Sequence, residues 1–224
     1  MRSTLALSLL ASAMLAVSLG ACGDDDGPTA TTSTAAQATG CTAAEKPPPK
    51  QLGLKAPENV LSPGEKATAT VQTSCGDFVI ELDTKASPKT ANSFAYLAEQ
   101  GVYDDTWFHR IVPGFVIQGG DPRQDGTGGP GYSVDEPPPA DAAYLKGVVA
   151  MAKGAVEPPG RSGSQFFVVT AADAGLPPDY AILGQVIDGT NVVDRIAKLG
   201  DPASGQSGTP LQPVLIETIT IDAG

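Results

Sequence analysis

The stretch YDDTWFHRIVPGFVIQGG, residues 103–120, decides the fold of this 224-residue chain. Two short strands fit it, Trp107–Ile111 and Phe115–Gly119. In the first, His109 and Arg110 are strand neighbours and point to opposite faces. Residue type alone leaves both roles open. Arg110 reads as either a structural ion-pair partner or a site cation, and Phe115 reads as a core aromatic. His109, the single histidine of the chain, reads as a hydrogen-bonded structural residue.

Working outward, Ala67–Thr73 and Asp77–Leu82 flank Ser74-Cys75-Gly76 and read as a hairpin. A helix is expected from Ser87, a good N-cap, with Pro88 in its first turn. Ala91, Phe94, Ala95, Leu97 and Ala98 keep helical spacing, and Gly101 marks the stop. Further strands fit Val148–Ala152, Phe166–Thr170, Ile182–Val186 and Leu215–Ile221, and a second helix fits Val192–Leu199. The fold class predicted is mainly β, a closed eight-stranded antiparallel β-barrel capped by two α-helices.

Composition excludes several functions. The formal net charge is −11, and loss of Arg2 with an export signal would lower it by one more unit. Such a surface suits neither nucleic acid nor an anionic lipid patch. One histidine and three scattered cysteines (Cys22, Cys41, Cys75) offer no zinc cluster and no CxxC redox pair. No metal and no cofactor are therefore expected. The run Gly126-Thr127-Gly128-Gly129-Pro130-Gly131 fits G-x-G-x-x-G literally. It joins no strand to a helix and Pro130 interrupts it, so a dinucleotide site is not read from it.

Residues 1–21 have a basic start, an apolar stretch from Leu5 to Leu19 and small residues before Cys22, the layout of a secretory signal. Leu19-Gly20-Ala21-Cys22 resembles the bacterial lipobox, which implies a lipidated Cys22 and an extracytoplasmic, lipid-anchored protein. Residues 22–63 read as the anchor cysteine plus a flexible Pro/Thr/Ala-rich tether, extended rather than helical from Glu45 to Pro63. Residues 64–224 read as the folded domain. With Cys22 lipidated, Cys41 and Cys75 remain as a pair that outside the cytoplasm would tend to oxidise to a disulfide, with Cys75 facing solvent in its turn.

The FHR…PGF…QGGD run resembles the cyclophilin family, together with Met151-Ala152 and the later SGSQFF (162–167). Order and approximate spacing are kept, and the resemblance covers roughly residues 67–222. It implies an eight-stranded barrel and peptidyl-prolyl cis/trans isomerase activity without a cofactor, on proline-containing unfolded or exported polypeptides, by a monomer. By the same resemblance Arg110 is the catalytic guanidinium. Phe115, Val116, Phe167 and Leu176 wall a proline pocket, Gln118 bonds the substrate backbone, and Ala152 and Gln165 line the adjoining groove.

These residue types suit the chemistry. Amide conjugation sets a rotation barrier of about 18–20 kcal/mol, and no bond need be broken to cross it. A site that holds the proline ring and donates a hydrogen bond to the prolyl nitrogen of a twisted amide lowers that barrier. An acceleration of ~10⁴-fold requires only about 5.4 kcal/mol. The chain also departs from the family pattern. Lys153 stands where Asn is common, and the loop Gly154–Gly163 is longer by about three residues. Tyr180 takes the place of a His and still offers an aromatic wall to substrate. Gly175 replaces a Trp, which makes cyclosporin binding doubtful because an indole donor and its contact area are lost. The competing readings are a non-catalytic chaperone or scaffold that binds proline segments, and a solute-binding lipoprotein. The latter would want a larger two-lobed chain.

Overall fold

The computed structural model describes residues 40–224; the expected signal segment, Cys22 and residues 23–39 of the expected tether lie outside them. β1 (Ala67–Thr73) and β2 (Gly76–Leu82) form the expected hairpin. There follow helix α1 (Pro88–Glu99), β3 (Thr106–Trp107), β4 (Arg110–Val112), β5 (Val116–Gly119), β6 (Val134–Asp135), β7 (Val148–Met151), β8 (Arg161–Ser162), β9 (Phe166–Val169) and β10 (Ile182–Asp188). Helix α2 (Thr190–Ala197), a 3₁₀ turn (Pro202–Ser207) and β11 (Leu215–Ala223) complete the chain.

Nine strands make one antiparallel sheet in the order β3-β11-β1-β2-β10-β7-β9-β5-β4. The sheet curls until its two outermost strands, β3 and β4, are neighbours along the chain. The single strand expected over Trp107–Ile111 is thus two pieces with a physical reason for the break. Trp107 pairs with Leu215, and Phe108 N–H donates to Val214 O at 3.0 Å, whereas Arg110 pairs with Gln118 on the other side. The chain changes partners between Phe108 and Arg110, and this seam brings the ends of the sheet together. Counting β3 and β4 as one gives the eight strands expected. β6 and β8 form a separate two-stranded ladder, clamped by Arg161 Nε to Asp135 Oδ1 at 2.7 Å and Nη2 to Oδ2 at 2.8 Å. At two residues each, they are too short for periodicity to reveal.

Period-two alternation sorts the strand residues into two cores. Ile111, Ile117, Val149, Met151, Phe166 and Val168 point inward with Phe94 of α1. Phe166 packs edge-on against Phe94 and Tyr103, with ring centroids at 5.6 and 5.8 Å. Truncating a ring so enclosed costs about 3–5 kcal/mol. Val116, Ala150, Phe167 and Val169, one residue out of phase, form a second apolar cluster on the outer side of the same strands. The strands β5, β7 and β9 are therefore covered on both faces.

Helix α1 ends as its sequence foretells. Gly101 sits at φ 63°, its N–H donating to Ala98 O and that of Val102 to Leu97 O, a Schellman closure. Its start differs. Ser87 is the N-cap residue, but its side chain caps nothing. The Glu136 carboxylate instead accepts from Lys89 N–H at 3.1 Å and Thr90 N–H at 2.7 Å, placing negative charge at the positive end of the helix. Helix α2 begins earlier than expected, with Gly189 as N-cap.

The arm preceding β1 is extended, as read, but residues 41–63 are not a free tether. Thr42 N–H donates to Ser74 O, Lys50 N–H to Pro122 O, and Leu54 N–H to Pro130 O, at 2.7, 2.7 and 2.8 Å. Leu61 is buried in the main core, with Leu52, Leu54 and Val60 packed against it. Cys41 and Cys75 are disulfide-bonded. Both are buried, so the expectation that Cys75 faces solvent is corrected.

Candidate active site

The outer cluster and the polar residues beside it bring together the residues singled out by sequence. Arg110, Gln118 and Phe167 lie in register on adjacent strands, Arg110 opposite Gln118 and Gln118 opposite Phe167. Arg110 Nη1 donates to Gln118 Oε1 at 3.2 Å, Gln118 Nε2 donates to Gln165 Oε1 at 3.1 Å, and Gln165 Nε2 donates to the carbonyls of Gly126 and Gly128 at 3.1 and 2.9 Å. The relay fixes both carboxamides by their donors and leaves Arg110 with further N–H groups to offer.

Arg110 is also held from behind, its Nε donating to Gln206 O at 3.0 Å and Nη2 to Gln206 Oε1 at 3.4 Å. Its guanidinium carbon lies 5.7 Å from the centre of the Phe115 ring, a cation–π separation. Partial burial lowers its pKa and Tyr180 opposes that effect, while a guanidinium stays protonated in proteins. A fixed cation beside an apolar wall is the result.

That wall contains Val116 and Phe167, both buried, with Phe115, Ala152, Leu176 and Tyr180 packed against them. All six apolar positions named from sequence therefore meet in one cluster. Tyr180 meets Phe167 edge-on at 5.4 Å. Two parts were not foreseen. Tyr144 is wholly buried beneath the site, its hydroxyl donating to Tyr180 O at 2.7 Å and accepting from Tyr180 N–H at 2.9 Å. Nothing in its Pro/Ala-rich surroundings marks it out. Gln206 was also missed, although Asp201-Pro202 is a turn signal, and the Asp201 side chain caps that turn through Ala203 N–H.

Beside the wall runs a groove of about 1040 Å³, to which Gln118, Ala152 and Gln165 contribute. The loop on one bank is organised by the buried Asp121, whose carboxylate accepts from the N–H groups of Arg123, Asp125 and Gly126 at 2.8, 3.0 and 2.5 Å. His109 lies under this loop. Neither of its ring nitrogens has a partner, which corrects the expectation of a hydrogen-bonded histidine. Burial lowers its pKa, with the charge of Asp121 opposing, so the ring is kept neutral.

A curled antiparallel sheet bearing an arginine, a glutamine and an aromatic wall on its outer face defines a cyclophilin-type protein. The chain belongs to the cyclophilin-type peptidyl-prolyl cis-trans isomerase family, whose profile matches residues 68–221. It is 38% identical over 187 residues to the probable peptidyl-prolyl cis-trans isomerase B of Mycobacterium leprae, covering 75% of this chain and 62% of that one. The chain thus spans about three-fifths of that relative's length. It is 38% identical over 176 residues to peptidyl-prolyl cis-trans isomerase B of Streptomyces anulatus, covering 70% and 98%. A crystal structure of a Cryptosporidium parvum cyclophilin-type isomerase superposes with a TM-score of 0.63 at 33% identity, covering 71% and 99%. A second crystal structure of that protein, obtained in the presence of the dipeptide Ala-Pro, gives 0.62 at 32% identity, covering 70% and 99%.

Proposed function

We propose that this chain is a peptidyl-prolyl cis/trans isomerase acting on X–Pro bonds of exported polypeptides and assisting their folding. The observation that carries the reading is the Arg110 guanidinium, fixed by Gln118 and Gln206 beside the wall formed by Phe115, Val116, Phe167, Leu176 and Tyr180. The proline ring seats against that wall, with Ala152 and Gln165 flanking it. As the amide twists, conjugation is lost and the prolyl nitrogen gains basicity. Arg110 then donates to that nitrogen, a charge-assisted bond made only in the twisted state. Gln118 holds the backbone of the substrate. No covalent intermediate is formed and no proton is transferred, so the site works by shape and electrostatics.

The same proposal includes the anchor, with Cys22 lipidated and the protein monomeric on the extracytoplasmic face of a bacterial membrane. Its support is the sequence before Cys22. Exchange NMR on X–Pro peptides with the purified chain tests the activity. Saturable binding without accelerated exchange would replace the enzyme by a proline-binding scaffold. Cys22→Ser is expected to abolish incorporation of labelled fatty acid and to release the protein from membranes. A variant that stays labelled and membrane-bound would remove the anchor from the proposal.

A further inference from the structure

The groove beside the proline wall has two banks that the barrel does not supply. Gln51 and Leu52 of the N-terminal arm line it, as do Val156 and Glu157 of the loop that follows Lys153. The arm is fixed immediately around Leu52. Lys50 N–H donates to Pro122 O, Leu54 N–H to Pro130 O, and Gln124 Nε2 to Pro48 O at 2.8 Å. Between these ties Gly131 adopts φ 103°, and a Cβ there would lie 2.9 Å from the Cα of Gly53. The arm and the Gly126–Gly131 loop are thus in backbone contact, and Leu52 is held in place before any ligand arrives.

The charged groups along the groove are already engaged within the protein. Lys153 donates to Glu157 O at 3.0 Å and lies 3.8 Å from Asp179. Arg123 lies 3.6 Å from Asp125, and the Glu157 carboxylate accepts from Gly154 N–H. Among the apolar residues of the lining, Leu52 and Val156 lie outside the barrel. Val156 is 99% exposed, so its side chain packs against nothing of its own chain, and it borders the same groove as Leu52.

We infer that Leu52 and Val156 form an outer subsite that selects polypeptides carrying an apolar side chain near the X–Pro bond. The occupant is the flank of the same extended substrate, because the groove is continuous with the proline site through Gln118, Ala152 and Gln165. Arm and loop together add a specificity element to the barrel. The inference rests on the isomerase reading for its substrate, but it can be tested separately from turnover.

The experiment uses the full chain and two fluorescent X–Pro peptides that differ only in carrying leucine or serine at the flanking positions. Affinity is read by anisotropy and isomerisation by exchange NMR. The wild-type protein is expected to bind the leucine peptide about tenfold more tightly than the serine peptide. Val156→Asp and Leu52→Asp should each abolish that preference, and Leu52→Met should retain it. Val156, being fully exposed, cannot act through folding, so its variant reads recognition alone. Equal affinities in the wild type, or a preference that survives Val156→Asp, would overturn the subsite. Discrimination without accelerated exchange would leave the subsite standing and remove the isomerase reading.

Discussion

Arg110 and Gln118 face each other across β4 and β5, the guanidinium donating to the carboxamide at 3.2 Å. Gln118 gives one lone pair to Arg110 and one N–H to Gln165 and keeps a second of each for substrate, so the arginine is aimed by a strand pair. Arg110→Ala is expected to lower kcat/KM by at least ~10²-fold, about 2.7 kcal/mol of transition-state stabilisation. The fold should persist, because the side chain is half-buried and outside both apolar cores. Arg110→Lys should not restore the rate, since an ammonium cannot engage Gln118 and Gln206 as a planar fork. Turnover near wild type in Arg110→Ala, with an unchanged NMR fingerprint, would remove the role assigned to it.

His109 supplies a pH dependence of stability. Burial lowers its pKa in the folded state, below the unfolded value of about 6.5. Its facing charges are Asp121 and Asp125, which raise it, and Arg110 and Lys46, which lower it. In the window below about pH 6.5 the unfolded chain binds the proton more readily than the folded one, so stability rises with pH there. The contribution is complete above the unfolded pKa and is lost as pH falls through the window. His109→Phe should flatten this part of a stability–pH curve measured by urea unfolding. An unaltered slope in that variant would show that other groups set it.

The Cys41–Cys75 bond closes a separation of 34 residues. Chain entropy then assigns it about 3–4 kcal/mol. Cys41→Ser with Cys75→Ser should lower stability by roughly that amount, read as a fall in the denaturation midpoint. Peptide mapping of the oxidised protein should recover Cys41 and Cys75 linked. Alkylation of both thiols without reductant would show that the bond is absent.

Cyclosporin is expected to bind this chain much more weakly than a cyclophilin that carries Trp at the position of Gly175. Gly175 is exposed, has nothing within 4 Å of where its Cβ would stand and adopts φ 61°. Gly175→Trp would add the missing surface but at a left-handed backbone position that costs an L-residue about 1 kcal/mol. Calorimetry on both forms measures the two effects, and tight binding by the unsubstituted chain would show that other contacts dominate.

The longer strands and both helices were legible because each leaves a local pattern, whereas the apolar wall was read from the resemblance to the cyclophilin family. Phe166 and Phe167 illustrate the limit. Neighbouring phenylalanines say that both faces of a strand are covered, but not that one joins the barrel interior and the other the outer site. The relay through Gln165 to Gly126 and Gly128 was not legible, since its acceptors are carbonyls and any residue carries one. Gln206, Tyr144 and the course of the arm also depend on long-range contacts. The cap of α1 is similar: Ser87 has the right side chain, but Glu136, nearly fifty residues on, does the capping.

The arm enters the domain at a knot. Cys41 is bonded to Cys75, and Arg195 Nη1 donates to the carbonyls of Cys75 and Gly40 at 2.5 and 3.4 Å. Any pull transmitted through the residues before Gly40 reaches this knot first. It passes by a covalent link into the β1–β2 turn and so into the sheet, bypassing residues 42–66. The segment that carries Leu52 would therefore bear no load, and such a pull would leave the bank of the groove undisturbed.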